Sequence, residues 1–338
     1  MPLLEVEELR IVFDTRKGPL CAVDRASFAI DRGEILGLVG ESGAGKSLIA
    51  TAIIGLLAPP ARIAGGTVRL AGRRIDDLDA EAMRRIRGRA IGAIFQDPLG
   101  ALNPLFTIGR QLEETIRVHR ALDRRAARAR AVELLRAVGI PDPERRLDAY
   151  PHELSGGMRQ RVVIALALCA DPLLVVADEP TTALDVSVQA QILRLLEQSC
   201  RERGAAVLLV THDLGAIGAI ADRVAVLYAG RIVEIGPVAA VVRNPCHPYT
   251  RGLLGAIPRI GARPRRLVQI EGTMPRLDAV PTGCAFHPRC PHAVARCRGE
   301  RPELEPVGET HAVACHGVEE GRLPDPRGAP VSSPCAAP

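Results

Sequence analysis

Residues 40–47 read Gly40-Glu41-Ser42-Gly43-Ala44-Gly45-Lys46-Ser47, a complete phosphate-binding loop of the G-x-x-x-x-G-K-S type. The largely apolar stretch Glu34-Ile35-Leu36-Gly37-Leu38-Val39 before it reads as a strand, and residues 47–57 after it read as a helix. Strand, loop and helix in that order are the context the motif requires. Gly40, Gly43 and Gly45 free the backbone to turn N–H groups toward phosphate oxygens, with the helix N-terminus adding positive potential. Lys46 and Lys17 are the two lysines in a chain with 44 basic residues. A sequence that otherwise uses arginine keeps a compact point charge where a crowded cradle has no room for a wide planar fork. Ser47 offers a hydroxyl to Mg²⁺, and Ser42, Ala44 and Leu48 complete the cradle. The segment is predicted to bind a nucleoside triphosphate.

The 338 residues exceed one average domain, which predicts a large α/β body with an appendage. A hydrophobic content of 47% supplies the core. The net charge of +5 alone would allow nucleic acid as a partner, but the chain has no Trp, five Phe and three Tyr, so stacking platforms are scarce. The arginine-rich residues 120–136 read as the solvated face of a helix. Residues 1–10 carry acids and no apolar signal-peptide core, and no run of 18 apolar residues is free of charge. A cytosolic chain is expected, whose nine cysteines are not a disulfide framework.

Strands are predicted over residues 4–13, 22–30 and 67–70, with helices over 80–87 and 108–138, the latter broken near Leu122-Asp123. A helix at 155–168 leads to residues 173–177, an uninterrupted apolar run that suits a strand buried on both faces of a parallel sheet. Helices at 187–203 and 214–221 flank a buried strand at 206–210, and residues 224–228 and 231–234 bracket Ala229-Gly230 as a hairpin. Strands alternating with helices give an α/β core. From residue 237 prolines crowd in and helical periodicity fades. Residues 321–338, rich in Pro, Gly and Ser, are predicted to be disordered.

The acids Asp178-Glu179 end the apolar run at what becomes the carboxyl edge of a parallel sheet, beside the phosphate loop. There Asp178 would hold Mg²⁺ and Glu179 would polarise an attacking water. Leu154-Ser155-Gly156-Gly157-Met158-Arg159-Gln160-Arg161 opens a helix from a second phosphate-seeking N-terminus. Ala183-Leu184-Asp185 follows the acidic pair, Thr211-His212-Asp213 follows the strand at 206–210, and Phe95-Gln96-Asp97-Pro98 precedes them. This order resembles the ATP-binding subunits of ABC transporters from residue 3 to about 236. The resemblance implies a P-loop NTPase core with an amino-terminal antiparallel β region and a helical subdomain. It gives Gln96 a contact to Mg²⁺ and water, His212 a contact to the γ-phosphate, and Phe13 an adenine to stack on. It assigns Ser155, Gly156 and Gly157 to the nucleotide held by an opposing subunit, so that two subunits close head to tail around two ATPs, and counts Asp185 among the nucleotide-binding residues.

The phrases Phe95-Gln96-Asp97-Pro98-Leu99-Gly100-Ala101-Leu102-Asn103-Pro104, Thr181-Thr182-Ala183-Leu184-Asp185-Val186 and His247-Pro248-Tyr249-Thr250 look like the bacterial oligopeptide/dipeptide importers, including the related nickel systems. Ser-Gly-Gly-Met-Arg-Gln-Arg resembles the first of their two ATPase subunits. The implied division is an ATPase domain at 1–236 with its helical subdomain at about 97–170, a Pro/Cys-rich domain at 237–320 and the tail at 321–338. The implied function is ATP hydrolysis that drives peptide import, or import of nickel or another small solute by the same motor. A soluble ABC ATPase acting on nucleic acid or ribosomes is the competing class, and it generally carries two cassettes or a long coiled-coil insertion, whereas each motif occurs once here. The implied partners are a second ABC ATPase in a heterodimer, two membrane permeases and, through them, an extracytoplasmic peptide-binding protein. That assembly places the chain on the cytoplasmic face of the bacterial inner membrane.

Cys284, Cys290, Cys297 and Cys315 lack the paired Cys-x-x-Cys of a zinc ribbon. Four thiols in a reduced, element-poor segment still suggest a cross-link by metal. Similar importers carry such a Cys-rich carboxyl segment, and the irregular spacing suits a [4Fe–4S] cluster at least as well as zinc; free buried thiols are the third reading. His287, His292 and His316 are reserve ligands. Cys21, Cys169 and Cys200 read as small hydrophobes of the core, while Cys246 and Cys335 show no clear partner.

Overall fold

The computed structural model describes residues 1–182, 184–257 and 269–323, apart from the side chains of residues 99 and 186. Ala183, Cys335 and most of the expected disordered tail lie outside the described residues. Along the chain run β1 (Leu4–Thr15), β2 (Gly18–Ile30), β3 (Ile35–Val39), α1 (Lys46–Ile53), β4 (Ala61–Leu70), β5 (Arg73–Arg74), α2 (Ala80–Ile86) and β6 (Ile91–Ile94). Then come α3 (Pro98–Ala101), α4 (Ile108–His119), α5 (Arg124–Ala137), α6 (Pro143–Arg146), α7 (Gly156–Leu168), β7 (Leu174–Asp178), α8 (Val186–Arg203), β8 (Ala206–Thr211) and α9 (Leu214–Ile220). The hairpin β9 (Arg223–Tyr228) and β10 (Arg231–Pro237) leads into α10 (Val238–Arg243) and α11 (Pro248–Gly255). Short elements follow: α12 (Ala295–Gly299), β11 (Glu305–Pro306), β12 (Ala312–Val313) and α13 (His316–Glu319).

The sheet that builds the site has the order β11-β12-β10-β9-β3-β8-β7-β6, with β9, β3, β8, β7 and β6 parallel. The period-two alternation of a strand divides its residues between two cores. Ile35 and Val39 of β3, Val175 and Ala177 of β7, and Val207 and Leu209 of β8 pack with α4, α5, α7, α8 and α9. Their neighbours Leu36, Leu38, Leu174, Val176, Leu208 and Val210 pack with α1 and the antiparallel sheet β2-β1-β4-β5. Both faces are therefore covered, which is why these strands read as unbroken apolar runs.

The break expected near Leu122-Asp123 is present: Asp123 caps α5, its carboxylate accepting the Ala126 N–H at 2.8 Å. Ser155 likewise caps α7, accepting from Met158 N at 3.3 Å. The strand β6 escapes a reading by pattern because four residues are too few to show a period. The helices α10 and α11 also run against the expected loss of helix after residue 237; α11 starts on Pro248 at its first turn, with the ring nitrogen of His247 accepting the Tyr249 N–H at 3.0 Å. One cysteine departs from expectation. Cys169 and Cys200 are buried, their thiols pushed up to about 12 by that burial, but Cys21 is exposed. It lies on β2, the edge strand, on an outward step of the alternation.

Candidate functional site

The segments singled out in the sequence leave the carboxyl ends of neighbouring parallel strands: the phosphate loop follows β3, Asp178 ends β7, His212 follows β8 and Gln96 follows β6. The crevice beyond those ends is where open α/β sheets take ligands. The loop needs its glycines. A Cβ at Gly40 would stand 2.3 Å from the Leu227 carbonyl oxygen, and Gly45 has φ +105 where it caps α1. The hairpin behind the loop fixes it further, with Gly230 N donating to the Ala44 carbonyl at 2.9 Å. Lys46 is 5% exposed, and its ammonium donates to the carbonyls of Gly40 at 2.8 Å and Glu41 at 3.1 Å. Burial lowers its pKa, against the pull of Glu179, Asp178 and Glu41. A half-desolvated ammonium held by two carbonyls is ready to trade them for phosphate oxygens.

Ser47 donates to Asp178 at 3.1 Å, so the hydroxyl and carboxylate expected to share Mg²⁺ are neighbours across 131 positions of chain. Burial raises the Asp178 pKa, with the Ser47 hydrogen bond opposing it. That is the environment in which a divalent cation is favoured, because the cation removes the penalty on the buried negative charge.

Glu179 sits at the meeting point. Its Oε2 accepts from Gln96 Nε2 at 3.1 Å and from the Thr182 hydroxyl at 2.8 Å, while Oε1 lies 3.2 Å from His212 Nδ1. Burial works against its charge, but the hydrogen bonds from Thr182 and His212 outweigh it and hold the pKa below the ordinary carboxylate value. Its φ of +48 lies in the left-handed region, which costs a residue with a Cβ about 1 kcal/mol or more, and its N–H is anchored to the Val210 carbonyl at 2.8 Å. Strain of this kind, held by a buried strand, fixes a charged carboxylate among three polar side chains. Such a group can orient a water and accept its proton.

The remaining predicted residues stand apart from this cluster. Ser155 and Gly156 are exposed at the start of α7, and Gly157 is half-buried beside Val188. Asp185 is exposed at the start of α8. No hydrogen bond among the described residues joins them to the phosphate loop. Phe13 is half-buried near the end of β1, paired with Leu20 and Ala61. Sequence reasoning missed Thr182, although it stands three residues after Glu179 in a quoted phrase, and missed Tyr249 and Arg289, which reach the loop residue Glu41. The Tyr249 signal was the His-Pro-Tyr-Thr phrase; nothing local marks Arg289.

Cys284, Cys290, Cys297 and Cys315 line one small cavity with His247, His287, His292 and His316. Burial pushes the Cys284 thiol up to about 11 and also raises Cys290 and Cys315, and neighbouring thiolates add to each shift. Among the described residues, the trio of ligand-type atoms within 4.8 Å of one another is instead Glu234, Cys246 and His311. That trio is internally saturated. Glu234 is fully buried and accepts the N–H groups of Cys246 at 2.8 Å and His247 at 2.9 Å, with His311 Nε2 at 2.9 Å. Cys246, without a clear partner in the sequence, is thus part of a structural knot.

Comparison with known proteins agrees with this geometry. The family described as ABC transporter matches residues 23–182, and the oligopeptide/dipeptide transporter C-terminal region matches residues 233–297. The dipeptide transport ATP-binding protein DppD of Haemophilus influenzae is 44% identical over 94% of this chain and 96% of its own length. The oligopeptide transport ATP-binding protein OppD of Mycobacterium tuberculosis is 50% identical over 94% of this chain but only 52% of its own length. Among solved structures, the dimeric post-hydrolysis state of the ATP-binding cassette MJ0796 bound to ADP and Pi superposes with a TM-score of 0.62 at 29% identity, covering 70% of this chain and 98% of that one. The chain belongs to the ATP-binding proteins of the ABC transporter family. It is an ATPase that uses ATP and Mg²⁺.

Proposed function

We infer that this chain is the ATP-hydrolysing subunit of a peptide importer, with Glu179 as the residue that activates water. The observation that carries the reading is the convergence of Gln96, Thr182 and His212 on the Glu179 carboxylate, beside the Ser47–Asp178 pair and Lys46. Relatives named for dipeptide and oligopeptide transport, similar along almost the whole of this chain, support peptides as the cargo. Lys46 and the amides of residues 42–48 take the phosphates. Ser47, Asp178 and Gln96 hold Mg²⁺, which supplies charge neutralisation at the β/γ bond. His212 senses the γ-phosphate and Phe13 stacks on adenine. Ser155, Gly156, Gly157 and Asp185, left outside this crevice, serve the nucleotide of a second ATPase chain; the dimeric state of the similar cassette supports that arrangement. Permeases and a peptide-binding protein complete the assembly, with this chain peripheral on the cytoplasmic face of the membrane. No described helix is long and apolar enough to cross a membrane.

The division at residue 236 remains the functional one: cassette before it, Pro/Cys-rich segment after it. The donor chemistry of Cys284, Cys290, Cys297 and Cys315 fits a thiolate-bound metal group. Four thiolates at this irregular spacing suit a [4Fe–4S] group at least as well as zinc. The cavity that the four cysteines help to line is small, about 20 Å³.

The decisive experiment is Glu179→Gln in the assembled transporter. ATP binding is expected to persist while kcat falls by about two to four orders of magnitude, as loss of a general base implies. Wild-type turnover by that variant would remove Glu179 from its role.

A further inference from the structure

Glu41 is the second residue of the phosphate loop and has no part in the reading above, yet it is held at its N–H, its carbonyl and its carboxylate. Its backbone N–H donates to the Tyr249 hydroxyl at 2.8 Å. Its carboxylate takes two parallel hydrogen bonds from Arg289, Nη1 to Oε2 at 2.7 Å and Nη2 to Oε1 at 3.0 Å. Its carbonyl accepts from Lys46 Nζ at 3.1 Å. Backbone on both sides and side chain are therefore all engaged.

The holders are themselves built in. The Arg289 side chain is 6% exposed, and its Nε donates to the Glu271 carbonyl at 2.8 Å. The same Nη1 lies 3.4 Å from the Tyr228 hydroxyl, and Nη2 lies 3.4 Å from the Ile270 carbonyl. The guanidinium carbon stands 5.8 Å from the ring centroids of Tyr228 and Phe286. Tyr249 is fully buried, edge-on to Tyr228 with centroids 4.7 Å apart and 5.4 Å from Phe286. A bidentate pair between a buried guanidinium and a half-buried carboxylate fixes direction as well as distance. Both holders belong to the segment after residue 237, and Arg289 is the neighbour of Cys290.

We propose that Tyr249 and Arg289 are positioning residues for nucleotide binding, a clamp from the carboxyl-terminal segment that sets the phosphate loop through Glu41. The clamp touches no reacting atom. A loop released at Glu41 lets Lys46 and the adjacent amides drift from the phosphates, which weakens the binding of ATP in the ground state and leaves the chemistry at Glu179 alone. The proposal rests on the loop being the ATP cradle.

The test compares wild type, Tyr249→Phe, Arg289→Met, Arg289→Lys, Glu41→Gln and the double variant Arg289→Met/Glu41→Gln, each as the full chain in the assembled transporter. Steady-state KM and kcat for MgATP are measured together with the melting temperature. Arg289→Met is expected to raise KM about tenfold and Tyr249→Phe about threefold, with kcat within about twofold of wild type. Arg289→Lys should not restore KM, because an ammonium cannot make two parallel bonds to one carboxylate. The double variant should be no worse than Arg289→Met, since both changes break one contact. A KM within about twofold of wild type in Tyr249→Phe overturns the clamp, and so does additivity in the double variant, or a loss of kcat and melting temperature with KM unmoved. Tyr249→Phe removes one oxygen and keeps the packed ring, so it decides the matter if Arg289→Met does not fold. A wild-type assembly that neither binds nor hydrolyses ATP would sink the ATPase reading itself, an outcome distinct from an active wild type with indifferent variants.

Discussion

The cassette buries five parallel strands between two apolar cores, with α4, α5, α7, α8 and α9 on one face and α1 with an antiparallel sheet on the other. Among its described residues, the segment beyond Pro237 has helices of at most eight residues, strands of two, and a local core of Cys246, Val307, Val313, Val318 and Leu323. It is tied to the cassette by a few side chains that enter the cassette core, Val241, Tyr249 and Phe286, and by polar contacts: Glu234 of β10 to the turn before α11 and to His311, Arg289 to Glu41, and the pairing of β12 with β10. The difference teaches where each region is vulnerable. A large core spreads its stability over many apolar contacts, so the cassette can spend single residues on chemistry. The appendage has only a small core of its own, so its place rests on the few aromatic and polar groups that dock it on the cassette.

The largest effect that separates the regions is at Lys46. Lys46→Ala should weaken ATP binding about a hundredfold, the weight of roughly 3 kcal/mol for a lost charged contact, and leave the cysteine-bound metal content unchanged. Nucleotide titration beside iron analysis checks both halves. The converse is Cys290→Ser. Anaerobically purified wild type should be brown with about four irons per chain, and the variant should lose that iron while still binding ATP. Iron retained by the variant breaks the assignment of Cys290, and a colourless anaerobic wild type with neither iron nor zinc breaks the metal site altogether.

The smallest and most specific effect concerns Glu234. Burial opposes its charge, but His311 and the N–H groups of Cys246 and His247 outweigh that and hold its pKa below the ordinary value. The native state thus keeps it ionised at a pH where the unfolded chain takes up a proton. The unfolded state binds more protons, so stability present above about pH 4.5 drains away as the pH falls through the lowered native pKa. Glu234→Gln should be less stable than wild type at pH 7 and lose less on acidification over that window. Denaturant unfolding at several pH values measures it; parallel slopes would show that Glu234 does not act as the tie.

Much of the cassette was legible because its chemistry constrains neighbours in sequence. A phosphate cradle needs glycines and a lysine within eight residues, a buried strand needs an unbroken apolar run, and a helix start favours Ser or Asp at its cap. Thus the loop at 40–47, the strand before Asp178 and the caps at Asp123 and Ser155 stand where their residues say. The four-residue strand β6 and the short helices α10 and α11 were not readable, since so few positions show no period. The exposure of Cys21 was equally hidden, because an edge strand is defined by its neighbours and not by its residues.

What the sequence by itself determined is a nucleotide-binding cassette, and it singled out Lys46, Ser47, Asp178, Glu179, Gln96 and His212, which the fold brings to one crevice. Only the tertiary structure decided how they meet: Thr182 as a third donor to Glu179, Glu234 gripped by His311, and Arg289 closing on Glu41 across 248 positions of chain. The physical reason is that hydrogen bonds and ion pairs act over about 3 Å of space with no fixed relation to separation along the chain. Local backbone demands leave a mark in neighbouring residues. A partner brought in from another element leaves none.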